Sequence, residues 1–466
     1  MNPNADLQVV FDLDLIKRYD KAGPRYTSYP TAVQFHEGFA EAQYRQCAES
    51  SNQQNASGPL SLYFHIPFCD TVCFYCGCNK VVTKDRSKAD VYLQHIYKEL
   101  ELQSVLFNQD RKVDQLHWGG GTPTFISHEQ MKELMQKTRR FFNLHDDDSG
   151  EYSIEIDPRE ASAETINVLR DIGFNRLSLG VQDFDPDVQK AVNRIQSEQE
   201  TFAVIDAARA TGFKSISLDL IYGLPKQSVE SFSQTLDKIL AVNPDRLSVF
   251  NYAHLPEMFK PQRRINIDEL PSATEKLDIL QYIIQRLTDA GYIYIGMDHF
   301  ARPDDELAVA QREGSLYRNF QGYSTHADCD LVALGITGLG QVANSYSQNV
   351  KTLDEYYALI DEGHIPVYRG VELTAEDVLR RHVITRLMCD FALDWRELEK
   401  KFNLEYQEYF SVELEALSKM QVDGLLTLDD HSLVVLPAGR LLIRNICMVF
   451  DKYLRGNQEQ RFSKVI

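Results

Sequence analysis

Residues 60–79 read LSLYFHIPFCDTVCFYCGCN, and this stretch decides how the rest of the chain is read. Four of the eight cysteines, Cys69, Cys73, Cys76 and Cys78, fall within ten residues, the first three spaced C-x3-C-x2-C. An apolar, aromatic run at 60–65 leads straight into them, the pattern of a strand feeding a loop. Thiolate sulfur is the soft ligand of iron–sulfur clusters and zinc. A cysteine triplet on a [4Fe–4S] cluster leaves one iron open to bind a ligand and do chemistry, as the open position of a catalytic zinc does. A structural zinc site is the competing reading, but it would want a second ligand pair, and Cys47, Cys329, Cys389 and Cys447 stand alone. Cys78 either completes the ligand set or lies beside it.

Composition bounds the rest. The 466 residues allow two or three domains, with 43% hydrophobic and 25% charged residues, as in soluble globular proteins. A net charge of −19 argues against nucleic acid and anionic membrane surfaces as partners. Too few cysteines are present for a disulfide scaffold. No apolar run of about 18 residues and no signal-like N-terminus is seen, so the expected compartment is the cytoplasm.

From residue 60 the pattern alternates strand and helix. Strands are expected at 60–65, 115–118, 152–157, 176–180, 215–220 and 246–252. Helices are expected at 88–106, 128–142, 163–172, 202–211 and 229–241. Such alternation implies a parallel sheet with outer helices, curled toward a barrel or left as an open doubly wound sheet. In barrels the chemistry collects at the C-terminal ends of strands. The special residues fall there: the cysteines after strand one, Gly119–Thr122 after strand two, Glu155 and Asp157 ending strand three, Gln182 after strand four, Asp219 ending strand five and Ala253 after strand six. Residues 51–59 read as a linker after an N-terminal arm, and 291–300 as one further strand. The stretch to residue 349, rich in tyrosine and glycine, is expected to close the site. Helices at 374–387, 394–402, 406–419 and 437–453, with a hairpin at 425–428 and 433–436, suggest a winged-helix-like end. The expected divisions are an arm at 1–58, a barrel with its closing segment at 59–350 and a helical domain at 351–466.

The triplet preceded by YFHIPFC resembles the radical S-adenosylmethionine (SAM) enzymes. With FYCGCNK, GPRYTSYP at 23–30, LHWGGGTPT, IEIDPRE, GFNRLSLGVQDF, LDLIYGLPKQ and GRLLIRNICM, the chain resembles the oxygen-independent coproporphyrinogen III oxidases over nearly its whole length. The resemblance implies an α/β fold, a partial (β/α)6 TIM-like barrel with an N-terminal arm and a mainly helical, winged-helix-like C-terminal domain. It implies one [4Fe–4S] cluster on Cys69, Cys73 and Cys76, and two molecules of SAM. Tyr63, His65 and Glu155 are implied as catalytic. Tyr63, Tyr75, Gly120, Gly121, Thr122, Glu155, Gln182, Arg194, Asp219, Ala253 and Leu339 are implied as cofactor-binding. Glu155 would serve the first SAM, and Gln182, Arg194 and Asp219 the second. Tyr75 stands where the family has phenylalanine, and Leu339 where it has isoleucine.

The reaction implied is radical decarboxylation of two propionates of coproporphyrinogen III to vinyl groups, giving protoporphyrinogen IX for haem. The partners implied are that substrate and a reducing donor such as flavodoxin or ferredoxin, with no nucleic acid, no membrane and a monomeric chain. Arg25, Arg159, Arg263, Arg264, Arg302 and Arg312 are the charges to examine for the substrate carboxylates, which arginine binds in pairs of hydrogen bonds. The rivals are a haem-chaperone-like relative without dehydrogenase activity, which lacks the GPRYTSYP arm and the C-x-C extension, and a four-cysteine zinc or electron-carrier protein.

Overall fold

The computed structural model describes residues 8–455, and its chain divides into two compact units. The larger comprises Phe35–Ile279 and Asp328–Glu372, and the smaller comprises Met1–Gln34, Leu280–Ala327 and Leu373–Ile466.

In the larger unit strands and helices alternate in the expected order: β1 (Leu60–Ile66), α1 (Ser87–Ser104), β2 (Lys112–Gly120), α2 (His128–Phe141), β3 (Glu151–Ile156), α3 (Ala163–Asp171), β4 (Arg176–Gln182), α4 (Glu198–Ala210), β5 (Ser215–Tyr222), α5 (Val229–Val242) and β6 (Arg246–Asn251). All six strands pair in parallel, each with the next. In β1 every residue but Tyr63 is buried. Covering on both faces explains why strands of a parallel sheet read as near-continuous apolar runs. Four of the five helices start on a serine cap, Ser127, Ser162, Ser197 and Ser228, each accepting from the N–H three residues on. Such a cap contributes about 1 kcal/mol. It also sets the start of α4 at Glu198, four residues before the expected 202.

Beyond the expected six strands, β1 gains a second parallel neighbour, β7 (Asp330–Leu334), with Leu60 opposite Asp330. The sheet continues through antiparallel β8 (Leu339–Val342), β9 (Ser345–Asn349) and β10 (Val367–Glu372). The stretch expected only to close the site is therefore sheet. Two buried polar clusters fasten this extension. Arg111, 1% exposed, donates to Asp330 at 2.6 Å, to the Gly58 carbonyl at 2.6 Å and to Ser51 at 3.0 Å. Glu99, fully buried, accepts from Tyr356 Oη at 2.7 Å, Gly335 N at 2.8 Å and Asn349 Nδ2 at 3.2 Å. The arm also departs from expectation. It contains a helix, Glu41–Gln54, which takes in the start of the expected linker and buries Tyr44, Cys47, Ala48 and Ser51.

The smaller unit is mainly helical. Helices Ala375–Asp390, Trp395–Phe402, Ser411–Val422 and Ile443–Phe450 surround a three-stranded sheet in which Ser432–Val435 pairs with both Leu426–Leu428 and Ala392–Asp394. The last helix begins at Ile443 and not at 437, because Pro437 and Gly439 hold a separate short turn. The expected strand at 291–300 is instead a hairpin, Ile293–Gly296 against His299–Ala301, reversed where Met297 takes φ 52°. Among the described residues no helix is long and apolar enough to cross a membrane.

Candidate active site

The local chain builds the cysteine loop first. After β1, Pro67 interrupts the run, and Phe68–Cys69 pairs in parallel with Val81–Val82, closing residues 70–80 into a loop. A turn from Cys73 O to Cys76 N, 3.2 Å, and a bond from Phe74 N to Val192 O, 2.9 Å, hold it over the end of β4. Cys69, Cys73, Cys76 and Cys78 all line one cavity of about 310 Å³ at the C-terminal ends of the strands. That volume lies in the range of small-ligand sites. Cys73 is buried and Cys78 exposed. The Cys78 thiol, hydrogen-bonded to Cys76, holds the Cys76 pKa below the usual thiol value, with Lys80 adding its charge. The same contact raises Cys78.

The glycines at the end of β2 permit close approach. Gly120 has φ +119°, where a side chain is strained, and a Cβ on Gly121 would sit 2.7 Å from the Phe68 carbonyl oxygen. Thr122 Oγ1 donates to Cys69 Sγ at 3.6 Å.

On β3, Glu155 accepts from Gly120 N at 3.2 Å and from His117 Nε2 at 3.2 Å. His117 Nδ1 then accepts from the Ser153 hydroxyl at 2.6 Å, and its ring stacks on Tyr63 with centroids 5.8 Å apart. Burial is the largest influence on Glu155 and raises its pKa, but the contacts with His117 and the Gly120 N–H together outweigh it, and the carboxyl lies below its usual value. Tyr63 Oη donates to His65 Nδ1 at 3.1 Å, whose Nε2–H is given to the Asn79 carbonyl at 3.1 Å. Burial lowers the His65 pKa, so the ring is neutral at pH 7. His117 was not anticipated. Its signal was parity, since two residues before Gly119 it faces the same side of β2, but only the register with Ser153 reveals the contact.

Asp157 directly follows β3, caps the next turn and binds two arginines. Arg159 reaches it through Nε at 2.9 Å and Nη2 at 2.6 Å, and Arg194 through Nη1 at 2.8 Å. Both guanidiniums also meet Cys73 Sγ, Arg159 at 3.7 Å and Arg194 at 3.6 Å. Arg159 was a candidate for substrate; here its guanidinium is turned onto Asp157 and the sulfur. Asp219 accepts from Ser178 Oγ at 3.1 Å. Burial, and then the charge of Glu155, push its pKa up to about 6.

The cavity therefore collects Cys69, Cys73, Cys76, Tyr75, Gly120, Gly121, Thr122, Glu155, Gln182, Arg194 and Asp219. Tyr63 and His65 stand behind it, His65 packed under Gly120 and Tyr63 on His117. Ala253 is exposed beyond β6, and Leu339 opens β8; neither lines the cavity.

Three buried atoms in the lining lack partners, Asp70 Oδ1, Gln182 Oε1 and Arg194 Nε. Gln182 is held at φ 68°, a costly conformation for a residue with a side chain. Unmatched polar atoms beside buried carboxylates suit a polar ligand carrying both cationic and anionic groups.

A family model described as the radical SAM superfamily matches residues 63–239, and one described as the HemN C-terminal domain matches 373–442. The chain is 53% identical to the oxygen-independent coproporphyrinogen III oxidase of Pseudomonas aeruginosa, over 98% of this chain and 99% of that one. It is 51% identical to that of Salmonella typhimurium over 99% and 100%. The chain belongs to the oxygen-independent coproporphyrinogen III oxidase family.

The solved structure of coproporphyrinogen III oxidase from Escherichia coli, described as a radical SAM enzyme, superposes with a TM-score of 0.91 at 50% identity, covering 96% of this chain and 100% of that one. Membership makes this chain an α/β radical SAM protein and implies a [4Fe–4S] cluster and SAM. The residues present fit both. Four thiols line one cavity, three of them in the C-x3-C-x2-C triplet, and carboxylates, glycine backbone and unmatched polar atoms surround it.

Proposed function

We propose that this protein converts coproporphyrinogen III to protoporphyrinogen IX without oxygen, decarboxylating two propionates to vinyl groups for haem synthesis in the cytoplasm. The observation that carries the reading is the meeting, in one cavity, of the cysteine triplet with Glu155, Asp219, Gln182 and Arg194.

In this reading Cys69, Cys73 and Cys76 hold the cluster. When bound, the cluster and SAM supply a one-electron reduction that yields a carbon radical able to take hydrogen from the β-carbon of a propionate. Gly120 and Gly121 bring backbone close to the amino-acid end of the first SAM, and Tyr63 packs beside it. Glu155, ionised and oriented by His117, accepts hydrogen bonds from its cationic and hydroxyl groups. Gln182, Arg194 and Asp219 take a second SAM, supported by the unmatched Gln182 Oε1 and Arg194 Nε. An acidic carrier such as flavodoxin or ferredoxin donates the electron, and the chain acts as a monomer.

Anaerobic reconstitution with iron and sulfide, followed by SAM, a reductant and coproporphyrinogen III, tests this. Protoporphyrinogen IX and 5′-deoxyadenosine should form together, and both should vanish in Cys73→Ala. SAM cleavage with untouched tetrapyrrole would overturn the substrate, and a protein that takes up only zinc would overturn the whole reading.

A further inference from the structure

In the smaller unit a short antiparallel hairpin pairs Tyr317–Asn319 with Gly322–Ser324, setting Arg318 opposite Tyr323. Arg318 is 9% exposed, and its guanidinium carbon stands 4.8 Å from the Tyr323 ring centroid. Its Nε and Nη1 are buried and have no hydrogen-bond partner. Gln321, in the turn of the same hairpin, has a buried Nε2 in the same condition. A fully paired arginine looks different. Arg386, in the same unit, spends its donors on the Gly314 and Leu316 carbonyls and on Asp390. A buried polar group left without a partner costs about 1–3 kcal/mol, and more when charged. All the unmatched atoms of the hairpin are donors, so the missing partner is an acceptor.

The surroundings specify its charge. Arg25, 42% exposed at its side chain, is paired with Asp298. Arg444, 3% exposed, donates to the carbonyl oxygens of Gly23 at one N–H and Pro24 at another, which fixes the backbone that presents Arg25. Burial first, and then the charges of Arg25 and Arg318, lower the Arg444 pKa to about 10, while Asp298 acts in the opposite direction. Arg25 and Arg318 thus both act against the Arg444 charge, and Asp298 opposes them. A planar, acceptor-only anion satisfies this arrangement.

We propose that Arg318, with Gln321 beside it and Arg25 at its exposed edge, binds a carboxylate, and that this carboxylate is a propionate of the tetrapyrrole substrate. The ligand named rests on the function proposed above. Arg25 and Arg318 then hold the anion from two sides, and Asp298 keeps Arg25 oriented until the anion arrives.

Coproporphyrin III, the air-stable oxidised form carrying four carboxylates, is the probe, with its tetramethyl ester as the uncharged control. Binding to the full-length, cluster-reconstituted protein is followed by porphyrin fluorescence. Arg318→Met should weaken coproporphyrin III at least tenfold and leave the ester unchanged. Arg318→Lys, which keeps the charge but loses the fork, should fall between. Asp298→Asn, which releases Arg25, should tighten coproporphyrin III several-fold, and it tests the site independently of how well the Arg318 variants fold. Unchanged affinity in Arg318→Met, equal losses for acid and ester, or weaker binding in Asp298→Asn would each overturn the site. A wild-type protein that binds neither porphyrin would overturn the proposed function, and the site with it.

Discussion

Replacing Arg159 by methionine probes how the protein sets the electron affinity of its cluster. The guanidinium lies 3.7 Å from Cys73 Sγ and is anchored by Asp157. Hydrogen bonds and positive charge at a ligating sulfur favour the reduced cluster, whose extra electron makes it more negative. A unit charge about 4.5 Å from the sulfur, at an effective dielectric of about 20, interacts by about 3.7 kcal/mol with a full electron there. The electron spreads over the whole cluster, and Asp157 remains to oppose Arg194. Keeping a third of the interaction leaves about 1.2 kcal/mol, or about 50 mV for one electron. The midpoint potential of Arg159→Met should therefore move about 50 mV in the negative direction, with iron content unchanged. Potentiometry followed by electron paramagnetic resonance on anaerobic protein measures it. A shift under about 20 mV, or one in the positive direction, would refute the assignment of Arg159 to the sulfur.

Asp330→Asn should destabilise the larger unit by about 3–5 kcal/mol in urea unfolding, because it strands the buried Arg111 charge; a loss below about 1 kcal/mol would contradict the latch. Burial pushes the Glu99 pKa from 4.5 up to about 7. The folded state therefore keeps a proton that the unfolded chain releases. Stability from this group is complete below pH 4.5 and declines by about 3 kcal/mol as pH rises through 7. Glu99→Gln should flatten that decline in unfolding measured between pH 5 and 8, and identical slopes would count against it. His117→Phe removes the hydrogen bond that orients Glu155, so SAM affinity by calorimetry should fall about tenfold, the worth of one bond to a charged group. Unchanged affinity would reduce His117 to a packing role.

The six barrel strands were legible because each is an apolar run ending at a chemically distinctive residue, and the site was legible because those ends coincide. The helix Glu41–Gln54 was not, since its buried face is Tyr44, Cys47, Ala48 and Ser51, a stripe with little apolar contrast. Strands β7 to β10 were hidden for another reason. The partner of β7 is β1, far away in the chain, and pairing across such a distance leaves no local periodicity. Asp157 shows a third kind of miss. The sequence IEIDPRE placed the carboxylate at a strand end, but the turn it caps bends Arg159 back onto it, so a charge counted for substrate is spent within the site.

The pairing of Leu60 with Asp330 has a consequence for synthesis. The strand that delivers the cysteines has its first neighbour, β2, within some fifty residues, but its second lies 270 positions on, from 60 to 330. At a translation rate of about 5–20 residues per second, that flank stays open on the ribosome for roughly 14–54 s. During this interval the thiols stand on a half-built sheet, open to oxidants and stray metals. Ribosome pausing before codon 330 would lengthen the window, and the yield of chains able to take up iron would then depend on the pace of elongation.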